Sequence, residues 1–192
     1  MNRSASIIAV LSLLVSPALW GQQEGRHGTT AGTSPAPTTP PEDPDMARFK
    51  HAIAVQATEQ QIAQFRLMIR STESAHRQAI DLQHSSSRAS DSEELFSKAH
   101  DLQDSVEEAQ SENRDFRRSL SDSQEAGLKD LTKKLSKSEA VVSKETKAIS
   151  QQLEWKPDPT RLANAAAHLG KALSAFQTDQ LNLGKEMGIK PE

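Results

Sequence analysis

Apolar residues recur every three or four positions along most of the chain after residue 58, which is the spacing of one face of an α-helix. The most regular run alternates steps of four and three: Leu95, Ala99, Leu102, Val106, Ala109, Asn113, Phe116 and Leu120. A second run, in a different register, contains Leu128, Leu131, Leu135, Val142 and Ile149. We therefore predict a buried structural seam formed by Leu95, Leu102, Val106, Asn113, Phe116, Leu128, Leu131 and Leu135.

Asn113 is a polar residue in the middle of the first run. A polar side chain at a core position of a coiled coil often fixes the register or the oligomeric state at a cost in stability. The sequence predicts this role for Asn113. The alternative is a position near a helix end, where the amide reaches solvent.

The runs and the residues that bound them predict four helices inside a domain spanning 46–188, at about 58–84, 91–120, 123–155 and 159–184. Each helix would be about 40–48 Å long at a rise of 1.5 Å per residue. Similar lengths and short connections are typical of helices that pack in alternating directions. The predicted fold class is therefore all-α, with an antiparallel four-helix, coiled-coil-like bundle.

Two helix starts carry the same short pattern, a serine or threonine followed three positions later by glutamine. Thr58 and Gln61 in "ATEQQ", and Ser121 and Gln124 in "LSDSQ", each form a capping box, which satisfies backbone groups at a helix start. The second box favours a turn between the second and third helices, and Gly127 weakens a continuous helix by about 1 kcal/mol relative to alanine. The alternative is one long helix with a four-residue stutter.

The other helix ends are marked less clearly. Residues 51–57, "HAIAVQA", alternate weakly, which is compatible with a short extended stretch before the first helix at 58, and the alternative is a helix that begins as early as Met46. Asp158 with proline after it predicts the start of the fourth helix. Gly184 and Gly188 are interpreted as its fraying end.

The first 45 residues differ in composition from the rest. Arg3, the apolar stretch "IIAVLSLL" and small residues near Gly21 are typical of a signal peptide over residues 1–21. Cleavage is expected near Gly21, and the alternative is an uncleaved anchor. Residues 22–45 hold five prolines and three glycines, so we predict a disordered Pro/Thr/Gly-rich linker. The protein is therefore expected to be exported, to the periplasm or the extracellular space.

Composition narrows the chemistry that the chain can support. Of its 192 residues, 26% are charged and the net charge is −3, which gives no general attraction to nucleic acid or to an anionic membrane. The absence of cysteine excludes disulfides and thiolate ligands for zinc. The second predicted helix carries eight carboxylates between Asp91 and Glu112 and only Lys98, whereas the third carries six lysines. These helices are therefore expected to attract weakly, and the alternative is that both charged faces are solvated.

Glu73 and His76 stand three positions apart, the spacing of Glu-x-x-His ligands in helical metal sites. A ferritin-like site needs two such pairs, and the predicted helices contain no second one. His76 also falls on the apolar face of the first helix, where a hydrogen-bonded histidine is commoner than a ligand. We therefore predict no catalytic residue, no cofactor and no functional metal, with Glu73 and His76 as the metal-ligand candidates.

The segments "ATEQQ" and "LSDSQ" also resemble the L-T-x-x-Q helix starts of small periplasmic Spy-type chaperones, and they depart from that pattern at Ala57 and Ser121. The resemblance covers ten residues. It implies an exported helical protein without enzymatic activity. Members of that family present a basic concave surface, whereas this chain is acidic.

The sequence thus favours a non-enzymatic secreted or periplasmic helical protein that acts in protein–protein interaction or envelope structure. Its expected partners are other proteins or a second copy of the chain, with no nucleic acid and no membrane span after signal cleavage. Two alternatives stay open. A periplasmic holdase-type chaperone would expose apolar surface between helices, and a ferritin-like metal-binding bundle would retain metal on purification.

Overall fold

The computed structural model describes residues 43–88, 91–154 and 158–190, and all regular structure in these ranges is helical. The helices are α1 (Pro44–Val55), α2 (Glu59–Ser87), α3 (Ser92–Arg118), α4 (Asp122–Gly127), α5 (Lys129–Leu153) and α6 (Pro159–Glu186). The prediction of an all-α fold is confirmed, since none of the described residues forms a strand. The predicted signal peptide, and the predicted linker as far as residue 42, lie outside the described residues.

Helix α1 lies where the sequence predicted the end of a linker and a weakly alternating stretch. Asp43 caps this helix, because its side-chain oxygen accepts a hydrogen bond from the backbone N–H of Asp45 at 3.0 Å. Pro44 lies in the first turn, where its missing N–H costs nothing. The predicted linker boundary at residue 45 is therefore wrong, and the expected extended stretch is helical as far as Val55.

Helix α2 packs along both α3 and α6, and α6 also packs along α5. Phe65, early in α2, lies against Gly184, late in α6. Lys134, early in α5, pairs with Asp179, late in α6, with 3.2 Å between Nζ and Oδ1. Helix α6 therefore runs antiparallel to both of these neighbours.

Helices α3 and α5 meet along a polar seam and pack less closely than the three pairs above. The side-chain amide of Gln103 donates to the hydroxyl of Ser150 at 2.7 Å. One heptad later, the amide of Gln110 donates to the hydroxyl of Ser143 at 2.8 Å. The partners follow opposite orders along the two helices, so α3 and α5 are also antiparallel.

The predicted seam residues lie in or beside the core. Buried are Leu95, Leu102, Val106, Asn113, Phe116, Leu128 and Leu135, whereas Leu131 is half-buried. The Nδ2 of Asn113 donates to Oε2 of Glu139 at 3.1 Å, while its Oδ1 has no hydrogen-bond partner among the described residues. The alternative that this amide reaches solvent is wrong, because Asn113 is 0% exposed.

The expected attraction between the acids of α3 and the lysines of α5 is not what joins these two helices. The ion pair between these helices has the opposite sense, with Nη1 of Arg117 lying 3.5 Å from Oε2 of Glu139. Most of the predicted charges face solvent instead, among them Asp101, Asp104, Glu107, Glu108, Lys133, Lys137 and Lys147. Exposed charges are screened by water and salt, so their net effect on stability is small.

The predicted third helix, 123–155, is interrupted near its start. Leu128 separates α4 from α5, with φ of −103° and ψ of 11°. Helix α4 packs against α1, and a Cβ atom at Gly127 would come within 2.6 Å of a methyl group of Val55. The glycine at the end of α4 therefore serves close packing against α1.

Both capping boxes are confirmed. The hydroxyl of Thr58 accepts from the backbone N–H of Gln61 at 3.2 Å, and that of Ser121 accepts from the N–H of Gln124 at 3.3 Å. Since α3 ends at Arg118 and the second box opens α4, the favoured turn is present in place of one continuous helix.

The two capping boxes also meet. Gln61 and Gln124 are buried, and each donates a side-chain N–H to the Oε1 of the other, at 2.9 and 3.0 Å. The second N–H of Gln61 donates to the carbonyl of Ser119 at 2.7 Å, and that of Gln124 to the carbonyl of Gln56 at 2.9 Å. Each Oε1 also accepts from the backbone N–H of its own cap residue, at 3.0 and 2.9 Å. Every hydrogen-bonding position of both amides is therefore used.

This contact relates two halves of the described chain. Gln61 and Gln124 stand 63 positions apart, and the same offset maps Phe65 of α2 onto Leu128 at the cap of α5, and Thr72 and Ala79 onto Leu135 and Val142 within α5. An offset of 67 positions maps buried residues of α3 onto α6, namely Leu95 onto Leu162, Leu102 onto Leu169, Asn113 onto Gln180 and Phe116 onto Leu183. The domain is thus built from two helical hairpins with the same pattern of buried positions.

Replacing Gln61 with methionine should lower the free energy of unfolding by about 2–4 kcal/mol, because the buried amide of Gln124 then loses two hydrogen bonds. Gln124→Met should have a similar effect. The double variant should cost less than the sum of the two, since it removes both buried polar groups together. Chemical denaturation measures all three, with Gln60→Met at an exposed position as the control. Strictly additive losses would contradict a direct coupling of the two amides.

Candidate functional site: a groove between α2 and α6

Helices α2 and α6 come close together where Gly184 lies against the ring of Phe65. A Cβ atom at position 184 would overlap that ring, so a larger residue fits only if the ring moves. The ring also packs edge-on against Phe116 of α3, with centroids 5.6 Å apart and an interplanar angle of 67°. Phe65 is therefore held in place by contacts with two other helices.

A groove of about 250 Å³ opens between α2 and α6 beside this contact. Its apolar part consists of buried Phe65, half-buried Ile69 and Leu181, which is 38% exposed. The remaining lining residues are polar or charged: Arg66, Arg70, Glu73, Gln177 and Lys190. The groove thus combines an apolar floor with a charged rim.

The rim of the groove carries more positive than negative charge. Arg66, Arg70 and Lys190 line it, and Glu73 is the one carboxylate among the lining residues. The Oε1 of Glu73 accepts from the amide of Gln177 at 3.1 Å, and its Oε2 lies 3.4 Å from a guanidinium nitrogen of Arg77 on the same helix. The lining side chains of the groove thus carry a net positive charge next to apolar surface.

The metal-ligand candidates lie in or next to this groove but contact other groups. Glu73 links α2 to α6 through Gln177, and half-buried His76 lies beside Gly170 of α6. In the three described ranges, no group of three or more His, Asp or Glu side chains is arranged to hold a metal ion. Among the described residues, Glu73 and His76 therefore have no third side chain with which to form a ferritin-like metal site.

A separate charged cluster joins α2 to α3. The Nζ of Lys98 lies 2.8 Å from Oδ2 of Asp81, 2.7 Å from the hydroxyl of Ser85 and 3.2 Å from Oε1 of Glu94. Hydrogen bonds to Asp81 and Glu94 raise the pKa of Lys98 above 10.5. Because folding raises this pKa, the cluster stabilises the fold below that pH and loses its effect as pH rises through the folded-state pKa. Its donors are engaged within the protein, so it has a structural role.

A larger cleft, of about 790 Å³, opens between the end of α3 and helices α4 and α5. Its lining is mainly polar and carries both signs of charge: Arg114, Arg117, Arg118, Leu120, Asp122, Glu125, Ala126, Lys129 and Thr132. Two of these cations already pair with acids outside the cleft lining, Arg117 with Glu139 and Arg118 with Asp115. The α2–α6 groove is smaller and more apolar in proportion than this cleft, so it is the stronger candidate for a binding site.

The sequence did not indicate the groove. Phe65 and Ile69 belong to the apolar run of the first helix, but their partner Leu181 becomes a groove residue only once α2 and α6 are known to be neighbours. One signal is present in the sequence. The pattern places Gly184 at a fraying helix end, whereas α6 continues to Glu186 and the glycine marks a close approach of two helices.

Comparison with known proteins finds no matching family model, no matching curated protein and no matching solved structure. Among the described helices, none combines the length and the apolar character that crossing a membrane requires.

We expect Glu73→Ala and His76→Ala each to lower the free energy of unfolding by about 1 kcal/mol, as the loss of a partly exposed contact does. Treatment with a chelator should leave the unfolding of the wild type unchanged. Chemical denaturation with and without chelator, together with elemental analysis, tests both points. Stoichiometric iron, manganese or zinc that disappears in His76→Ala would contradict the structural role and support a metal site.

Proposed function

We propose that this chain is a non-enzymatic exported protein, periplasmic or secreted, that acts by binding other proteins. In this proposal, an antiparallel, coiled-coil-like four-helix bundle formed by α2, α3, α5 and α6 presents the α2–α6 groove to the partner. The observation that carries the proposal is the pairing of an apolar floor with a cationic rim in that groove.

The size and chemistry of the groove support a protein partner. Its volume of about 250 Å³ is below the range of roughly 300–1,000 Å³ that is usual for small-molecule pockets. A groove of this size suits one or two anchoring side chains of a larger partner. The cations Arg66, Arg70 and Lys190 favour a segment that carries a carboxylate next to its apolar anchor.

The binding role can be tested by introducing a charge at the floor of the groove. Leu181→Lys should remove the proteins that immobilised wild type retains from an envelope extract, because a lysine there removes apolar surface from the floor and places a charge against the apolar anchor of the partner. Leu67→Lys is the matched control, since Leu67 is 51% exposed on α2 and does not line the groove. Equal retention by wild type, Leu181→Lys and Leu67→Lys would contradict binding through this groove.

A holdase-type chaperone is the second candidate, and it is favoured by the same apolar surface between helices. A holdase binds many unfolded chains, whereas a specific adaptor binds a few folded partners. An aggregation assay with a chemically denatured acidic protein separates the holdase from the adaptor. If the chain is a holdase, wild type suppresses the aggregation and Leu181→Lys does not. Suppression that depends on Leu181 favours the holdase, and retention of one or two native proteins favours the adaptor.

Export is proposed from Arg3, the apolar stretch after it and the small residues near Gly21. We expect protein isolated from its native cell envelope to begin near Gln22, as measured by intact-mass spectrometry. An intact Met1 in the envelope fraction would support the uncleaved-anchor alternative. An intact Met1 in the cytosolic fraction would contradict export.

A further inference from the structure

Helix α1 presents large apolar side chains to solvent. Met46, Phe49 and Ile53 are 52%, 62% and 58% exposed. Across the described residues, seven large apolar side chains are exposed, and three of them lie on this one helix of 12 residues. A contiguous apolar face of this kind marks an interaction surface more often than a scattered exposed leucine does.

The opposite side of α1 faces the rest of the domain. Val55 is buried and would contact any Cβ atom placed at Gly127 of α4. His51 Nε2 lies 3.1 Å from Oε1 of Glu186 at the end of α6. With about 100° of rotation per residue, these side chains point away from the face formed by Met46, Phe49 and Ile53. The described part of the chain therefore leaves that face uncovered.

The spacing of the exposed face is that of a coiled-coil core. Met46, Phe49 and Ile53 take positions a, d and a of a heptad, and the charged residues that flank them are Asp43 and Lys50 at e and Asp45 at g. Within the same helix, Oδ1 of Asp45 also lies 3.8 Å from Nη1 of Arg48. Charges at e and g set the direction of pairing between two such helices. In a parallel pair, Asp45 of one copy faces Lys50 of the other on both sides of the seam. In an antiparallel pair that buries Phe49 and Ile53 against each other, the two Lys50 side chains would face each other.

A lipid surface fits the same face less well. Around α1, the acids Asp43 and Asp45 balance the cations Arg48 and Lys50, so the helix has no net attraction to anionic headgroups. A membrane-surface helix normally carries a polar face rich in lysine and arginine. The balanced, alternating charges of α1 complement a second copy of itself better than they complement a bilayer.

We propose that α1 is a self-association element, through which two copies of this chain pair by a parallel coiled coil of their α1 helices. The second copy covers Met46, Phe49 and Ile53, and two Asp45–Lys50 ion pairs fix the direction. The seam is short, so the dimer is weak and reversible, in the class of interfaces below about 1,200 Å². This site is separate from the α2–α6 groove and does not depend on the function proposed for it.

The absence of cysteine from the chain allows a direct test by cross-linking. In a parallel pair, the a positions of the two helices face each other, so Ile53→Cys should form a disulfide dimer under mild oxidation. The control is Leu67→Cys, which is similarly exposed at 51% but lies on α2. We expect cross-linking of Ile53→Cys to be at least tenfold faster. Equal rates for the two variants would show random collision and would overturn the proposal.

Two further variants test the seam and its direction. Adding Phe49→Glu to Ile53→Cys should slow cross-linking at least tenfold without changing the melting temperature, because Phe49 is exposed in the single copy. Asp45→Lys in the same background should also slow it, and Asp45→Lys with Lys50→Asp should restore the rate only if the helices are parallel. No rescue by the double exchange would overturn the parallel arrangement. Wild type that stays monomeric and sediments with anionic phospholipid vesicles would overturn self-association in favour of membrane binding.

Discussion

The pair of buried amides at Gln61 and Gln124 is the contact on which the arrangement of the helices depends. It joins the start of α2 to the start of α4. Through the backbone carbonyls of Gln56 and Ser119, it also holds the residues that directly follow α1 and α3. Buried amides are costly when any of their hydrogen bonds is missing. Because all the positions of both amides are satisfied here, the network tolerates one relative placement of these four chain segments and penalises others.

This placement carries over to the candidate surfaces. Phe65 lies one turn beyond Gln61, so fixing the start of α2 fixes where its ring meets Gly184 and therefore where the groove begins. Helix α1 ends at the same network, because Gln56 is both its C-cap and the acceptor for Gln124. The network thus positions α1 against α4 and leaves its apolar side facing outward. One polar contact sets the geometry of both proposed binding surfaces.

Local patterns in the sequence predicted local structure well and spatial neighbours poorly. The capping boxes at Thr58 and Ser121 follow from residue chemistry over four positions, so they could be predicted. That the two boxes bond to each other could not, because it depends on a contact between residues 63 positions apart. The duplicated pattern of buried positions was visible in principle, but pairs such as Thr72 and Leu135 share only their inward direction. Helix α1 lies where the sequence left a choice between an extended stretch and a helix from Met46, and no glycine or proline at Gln56 and Ala57 marks its separation from α2. The groove could not be predicted because it needs α2 and α6 as neighbours.

The two hairpins meet along two contacts of different chemistry, because the seam between α3 and α5 is polar whereas α2 and α6 pack through apolar side chains. Elsewhere the helices interlock through apolar side chains, and separating them would expose those side chains to water. Along this seam, the Gln103–Ser150 and Gln110–Ser143 contacts are hydrogen bonds that water molecules can replace at little cost. The two hairpins are therefore held together mainly by the close α2–α6 contact, and less firmly along α3 and α5. Local opening of the domain should therefore separate α3 from α5 first. This opening admits solvent to the buried carboxamide of Asn113 while α2 and α6 stay in contact.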